Sequence, residues 1–156
     1  VSPAGTAAAE DRPVAGTAVV VCPHCDAAVR VARARLGDGP RCGACHRPLF
    51  EGRPVALDES RARRHLRLSE LPVLVDFWAS WCAPCRAMAP EFEAAARELE
   101  PTMRLVKVST EEAPALAREF GIASIPTLAL FRGGQEVARQ AGAMPAGRIV
   151  GWARGA

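Results

Sequence analysis

The sequence predicts an α/β domain preceded by a small module built around four cysteines. Three observations predict it. The apolar run Val73-Leu74-Val75-Asp76-Phe77-Trp78 reads as a strand buried on both faces, and the link Ala79 to Trp81 carries it into an amphipathic helical pattern. Strand and helix patterns then alternate to the C-terminal end, as in a sheet covered by helices. Upstream, Cys22-Pro23-His24-Cys25 and Cys42-Gly43-Ala44-Cys45 are separated by sixteen residues, within the range of a four-cysteine metal site.

Length and composition bound the reading. A chain of 156 residues holds one full domain and a small appendage. Its net charge of +3 is too small to argue for nucleic acid, and Lys107 is the only lysine. Residues 1–18 are Ala, Gly, Pro and Thr with few charges and no apolar period, so a disordered leader is expected there. No stretch approaches the roughly 18 apolar residues of a membrane span. Six cysteines grouped in three Cys-x-x-Cys pairs suit a reducing cytoplasm, the expected localisation.

The cysteine module is expected over 19–50. Ala28, Val29 and Val31 read as a short strand, and Gly37-Asp38-Gly39-Pro40 as a turn. So few residues bury too little apolar surface to fold alone, so a metal is expected to supply the folding free energy. Four thiolates from Cys22, Cys25, Cys42 and Cys45 complete the tetrahedron that zinc prefers. Arg30, Arg33, Arg35, Arg41 and Arg47 are available to offset its negative charge. Cys42 to His46 also matches a c-type haem attachment pattern, but haem leaves Cys22 and Cys25 unexplained. A second redox pair at Cys22 and Cys25 lacks a helical pattern after it. Zinc is therefore the expected cofactor, with no haem or nucleotide, and His24 and His46 are expected at the knuckle surfaces.

The larger domain is expected over 51–156. Pro54 to Leu57 reads as a first strand, and Asp58 or Ser60 can cap a helix running to about Leu68. Arg61, Arg63, Arg64 and Arg67 are expected on its solvated face. After the central strand, Ala87, Met88, Phe92, Ala95, Ala96 and Leu99 mark one face of a helix that Pro90 should kink. Leu105 to Val108 is the next strand, parallel to the central one. Ala113 to Phe120 is a short helix ended by Gly121. Leu128 to Phe131 and Glu136 to Ala141 are strands joined by a Gly133-Gly134 turn. Ala146 to Ala156 is the last helix, with Ile149, Val150 and Trp152 packing inward.

The third cysteine pair carries the chemistry. Cys82 and Cys85 fall in the first turn of the helix, where unpaired N–H groups and the helix dipole stabilise a thiolate. Cys82, expected to be the more exposed, is the candidate nucleophile, and Cys85 the candidate resolving thiol. Inert core cysteines or half of a zinc knuckle are the alternatives; the strand before, the helix after and Trp81 favour redox chemistry. Asp76 is the anomaly of the central strand. Burial should raise its pKa, which suits a base that takes the proton of Cys85.

Asp76-Phe77-Trp78 followed by Trp81-Cys82-Ala83-Pro84-Cys85 resembles the active-site segment of the thioredoxin family, and the likeness extends over about residues 54 to 154. The resemblance implies the thioredoxin fold, a central mixed sheet flanked by helices, and a protein-disulfide reductase acting as a monomer. It assigns Asp76 the role of the family's buried aspartate and Lys107 that of a lysine approaching it. It also implies a cis Pro126 and a substrate surface of Trp81, Ala83, Pro84, Ile125, Pro126 and Gly142. Oxidised proteins are the implied substrates, and an NADPH-dependent thioredoxin reductase the implied electron donor. Ala83 departs from the family's usual glycine, which leaves the redox potential open. The four-cysteine module, Phe50, and Gly142-Ala143-Met144-Pro145 resemble the bacterial thioredoxin 2 branch. A different class of function, a zinc-dependent redox-sensing interaction module or holdase, would use oxidation of the metal thiolates instead. Binding of nucleic acid lacks an aromatic stacking platform.

Overall fold

The computed structural model describes residues 16–156. Residues 1–15 of the expected leader lie outside the described residues, and residues 17 and 18 belong to the first strand.

The cysteine module is a hairpin with two knuckles. β1 (Thr17–Val21) pairs antiparallel with β2 (Ala28–Ala32), and a single 3-10 turn (Arg33–Arg35) follows. Of the two strands only β2 is marked in the sequence. The apolar run of β1 is too short to show a period on its own and gains its order from the pairing. Ala18, Val20, Val31 and Leu49 form the module's core, and Leu71 from the larger domain completes it.

The larger domain is a five-stranded sheet in the order β3-β5-β4-β6-β7. β3 (Val55–Ala56), β5 (Arg104–Ser109) and β4 (Val73–Trp78) run parallel. β6 (Thr127–Arg132) lies antiparallel to β4, and β7 (Gln135–Ala141) returns antiparallel to β6 through the Gly133-Gly134 turn. Both turn glycines have positive φ, 59° and 81°, which the tight hairpin requires. The sheet is therefore mixed, as the family resemblance implies.

Helices cover both faces. α1 (Glu59–Leu68) starts at Asp58, whose carboxylate accepts the Arg61 N–H at 2.9 Å. α2 (Ala83–Leu99) contains Pro90, α3 (Pro114–Glu119) is short, and α4 (Ala146–Gly155) closes the chain. Because strand side chains alternate, Val73, Val75 and Phe77 pack with Leu66 of α1 and Leu116 of α3. Leu74 points the other way, onto Met88, Phe92 and Leu99 of α2 and Ile149 of α4. Asp76 shares that second parity, so it lies on the α2 side of the sheet, the side of Cys85.

The arginine face of α1 is not a solvated one. Arg61 pairs with both carboxylate oxygens of Asp26, at 2.8 and 3.0 Å, and donates to the Pro23 carbonyl. Arg64 donates to the Asp26 carbonyl at 2.7 Å, and the buried His65 meets the same carboxylate at 2.9 Å. Arg63 bridges Glu59 and Glu119, which leaves Arg67 as the exposed member. A helical period shows which positions share a face; it carries no sign that a second module docks there. Further contacts seal the junction. Val19 donates to Glu70 Oε1 and accepts from the Glu70 N–H. Arg104, 3% exposed, donates to the Val21 and Leu49 carbonyls, pairs with Glu100 at 2.9 Å and lies 4.7 Å over the Phe50 ring.

Arg104 and Val73 open β5 and β4, so the cysteine module sits against the N-terminal ends of the parallel strands. Cys82 follows their C-terminal ends. Six strand residues separate the two ends, about 20 Å of extended chain.

Candidate active site and metal centre

Cys82 is the N-cap of α2 and is disulfide-bonded to Cys85, with the two Cα atoms 5.3 Å apart. The Cys85 N–H points at Cys82 Sγ at 3.3 Å, an orphan donor of the first helical turn turned toward the sulfur. Both cysteines are buried, Cys82 at 4% and Cys85 at 2% exposure, so the expected difference in exposure is slight. Access comes instead from the neighbours: Ala83 and Pro84 are exposed, and Trp81 is 68% exposed. Ala79 and the flanking Trp78 and Ile125 pack around the pair.

The opposite wall is the segment before β6. The Ile125–Pro126 peptide is cis, and Cys82 Sγ lies 3.7 Å from the Ile125 carbonyl oxygen. Gly142, at φ 96°, donates its N–H to the Pro126 carbonyl at 2.9 Å and so fixes the end of β7 beside this wall. A left-handed φ of that size is one that side chains rarely allow, which accounts for glycine there. Trp81, Ala83, Pro84, Ile125, Pro126 and Gly142 thus frame one surface around the disulfide.

Beneath it, Asp76 is fully buried, and neither carboxylate oxygen has a hydrogen-bond partner among the described residues. Burial pushes its pKa up to about 7, and the charge of Lys107, its register partner on β5, holds it from rising further. Lys107 Nζ itself lies 4.5 Å over the Trp78 ring. A carboxyl poised near neutrality, without partners and on the cysteine side of the sheet, can accept a proton and return it.

The loop carrying Trp81 is braced from two sides, a feature that carries no sequence signal. Thr110 donates to the Trp78 carbonyl through its N–H at 2.8 Å. Glu111 Oε1 accepts from the Ser80 N–H at 3.0 Å and from the Ser80 hydroxyl at 2.8 Å. Arg86 Nη1 donates to the Ser80 carbonyl at 2.8 Å.

At the other end, Cys22, Cys25, Cys42 and Cys45 converge, with all four Sγ atoms within 4.8 Å of one another. Cys22–Cys45 and Cys25–Cys42 are each 3.6 Å apart. A tetrahedron with metal–sulfur bonds of about 2.3 Å puts its sulfurs about 3.8 Å apart, so this donor set fits a thiolate-bound ion. The two knuckles repeat one design. In each, the residue after the second cysteine turns left-handed, Asp26 at φ 65° and His46 at φ 67°, and its N–H closes on the first cysteine's carbonyl. Backbone N–H groups then face the first sulfur, from His24 at 3.4 Å and from Ala44 at 3.3 Å. Donors of this kind, with the Cys45 N–H foremost, draw Cys42 down to about 6, whereas burial pushes the Cys22 thiol up to about 12. His24 meets Glu51 at 2.9 Å and His46 is exposed, so the four thiols are the converging donors.

This fold, with a Cys-x-x-Cys disulfide capping the helix after the central strand, defines a dithiol–disulfide oxidoreductase of the thioredoxin type. The comparisons agree. The thioredoxin family model matches residues 54–154, and the model described as "Thioredoxin 2, N-terminal" matches residues 21–47. The chain is 40% identical over 134 residues to Thioredoxin C-3 of Corynebacterium nephridii, covering 86% of this chain and 92% of that one. It is 47% identical over 87 residues to Thioredoxin 1 of Nostoc sp., covering 56% and 81%. Among solved structures, a mutant thioredoxin from Halobacterium salinarum superposes with a TM-score of 0.61 at 25% identity, covering 68% of this chain and 92% of that one. The chain belongs to the thioredoxin family, and carries that family's redox domain behind a zinc ribbon of the thioredoxin 2 type. No helix among the described residues is long and apolar enough to cross a membrane.

Proposed function

We propose that the protein reduces disulfides in cytoplasmic proteins, with Cys82 as nucleophile and Cys85 as resolving thiol. The observation that carries this reading is the pair's position: a disulfide at a helix N-cap, bordered on one side by the exposed Trp81, Ala83 and Pro84 and on the other by the half-buried Ile125. In the reduced protein, the Cys82 thiolate attacks one sulfur of the substrate disulfide. A mixed disulfide forms and the first substrate thiolate leaves. Asp76 takes the proton of Cys85, whose thiolate attacks Cys82 Sγ. The Cys82–Cys85 disulfide closes and the second substrate thiolate leaves, so two electrons pass to the substrate. Lys107 moderates the affinity of Asp76 for that proton. Trp81, Ala83, Pro84, Ile125, Pro126 and Gly142 seat the substrate chain. An NADPH-dependent thioredoxin reductase restores the dithiol.

Zinc is the ion we assign to Cys22, Cys25, Cys42 and Cys45, since four thiolates at tetrahedral spacing suit it and leave no open position for catalysis. The chain boundaries that go with this reading are a zinc module that ends at residue 50 and starts with β1 at Thr17, two residues earlier than the expected 19, and a redox domain over 51–156, working as a monomer. A second reading, in which oxidation of the zinc thiolates releases the metal and exposes a client-binding surface, rests on the exposure of Cys25. Aggregation assays with and without oxidant decide it: protection that follows zinc release and survives Cys82→Ser supports this reading, and metal content unchanged under oxidant removes it.

The reductase is tested with two variants. Cys82→Ser should abolish reduction of insulin disulfides. Asp76→Asn should leave formation of the mixed disulfide intact and slow its resolution about 100-fold or more, the scale of losing a positioned base. Activity retained by Cys82→Ser would refute the mechanism.

A further inference from the structure

The brace on Ser80 lies outside the sulfur chemistry. Ala79, Ser80 and Trp81 are the only residues between β4 and Cys82, so their path sets where the nucleophile and the exposed Trp81 stand. Three bonds from two elements converge on Ser80. Glu111, after β5, holds its N–H and hydroxyl with one carboxylate oxygen, and Arg86, in the first turns of α2, holds its carbonyl. Glu111 is itself placed by backbone: its N–H and that of Glu112 both point at Ser109 Oγ, at 3.3 Å. Thr110, between them, is fastened to the Trp78 carbonyl. The segment 109–112 thus clasps the redox loop along its length.

We infer that Glu111 is a positioning residue that holds Trp81 in the posture a protein substrate docks against, without taking part in sulfur chemistry. The inference rests on the reductase reading above. Its logic is geometric. Glu111 reaches Ser80 and not a cysteine, and Cys82 Sγ keeps its own neighbours, the Cys85 N–H and the Ile125 carbonyl. Releasing Ser80 therefore frees Trp81 while leaving the disulfide's immediate neighbours in place. The two Ser80 donors hold the carboxyl of Glu111 below its usual range, so it is an acceptor across the working pH range. A substrate wide enough to touch Trp81 feels the release; one small enough to reach only the sulfurs does not.

The test uses the pre-reduced 156-residue chain in single-turnover reactions with insulin and with glutathione disulfide, quenched by alkylation and followed by mass analysis of Cys82 and Cys85, because exchange conserves the total number of free thiols. Glu111→Ala should raise the half-saturating insulin concentration about fivefold, the scale of one or two hydrogen bonds at an exposed site, with the limiting rate unchanged. Its rate with glutathione disulfide should stay within about twofold of wild type. Glu111→Gln keeps an acceptor oxygen and should restore docking of insulin. Ser80→Ala, which loses only the hydroxyl, should fall between. Equal losses with both disulfides would overturn the inference, because Glu111 would then act on the thiols. Loss in Glu111→Gln as great as in Glu111→Ala would overturn it too, because charge rather than the brace would matter. Wild-type protein inactive on insulin would instead defeat the underlying reductase reading.

Discussion

Asp76 shows how much one residue can cost the fold it serves. In an unfolded chain its carboxyl ionises near the ordinary value of 3.8, whereas in the folded protein burial holds the proton until about pH 7. Below pH 3.8 both states carry the proton and the effect vanishes. Between there and about 7 only the unfolded state ionises, so stability falls as pH rises, and above that window the penalty is complete. The full penalty is about 4 kcal/mol. Urea unfolding of the oxidised protein at pH 4 and pH 8 should show this loss in the wild type and not in Asp76→Asn. A parallel decline in both proteins would place the pH dependence elsewhere. Sequence reading could find Asp76 because an acid in an apolar strand is conspicuous. Glu111 and Ser80 are ordinary surface residues by type, and only the approach of two loops from separate strands gives them a role.

At the scale of elements, α1 does two jobs that one helical pattern cannot announce. Its apolar residues, Ala62 and Leu66, face the sheet, and Arg61, Arg64 and His65 grip a single turn of the cysteine module. Asp26 is the centre of that grip. Burial opposes its charge, but hydrogen bonds from Arg61 and His65 outweigh it and hold the carboxyl below the usual range. Asp26→Ala strips the partners from a buried histidine and a half-buried arginine, and removes the short polar side chain that tolerates the left-handed backbone at that position. Thermal unfolding of this variant should show a loss of about 2–3 kcal/mol, with metal content at the start unchanged. The reading of α1 as having a solvated arginine face failed for this reason. By contrast, β4, α2, β5 and the β6–β7 hairpin were legible, because each is a long apolar period or a glycine turn whose partner lies within the same sheet. β1 was not, since its order comes from pairing with β2.

For the whole molecule, the two cysteine centres are far apart yet share the same strands. Arg104 opens β5, pairs with Glu100, and is covered by Val21, Leu49 and Phe50 of the first module. A chain starting at residue 51 would expose this guanidinium and Leu71, and its melting temperature should fall by several degrees, with disulfide reduction retained. Chelation of the 156-residue chain should act in the same direction: loss of the ion unfolds the knuckles, as expected for a module too small to fold unaided. An unchanged melting temperature after complete metal removal would show that the hairpin core of Ala18, Val20, Val31 and Leu49 suffices.

The placement of the cysteine module at the N-terminal ends of β4 and β5 has a practical meaning for assembly. On the proposed function, a protein that presents a disulfide docks on the side of Trp81, and that approach leaves the far end of the molecule uncovered. A bulky group on the module, whether a label, a surface or another chain, would ride on the oxidoreductase without standing in its doorway. Electrons can thus be delivered at one pole while the molecule is moored by the other.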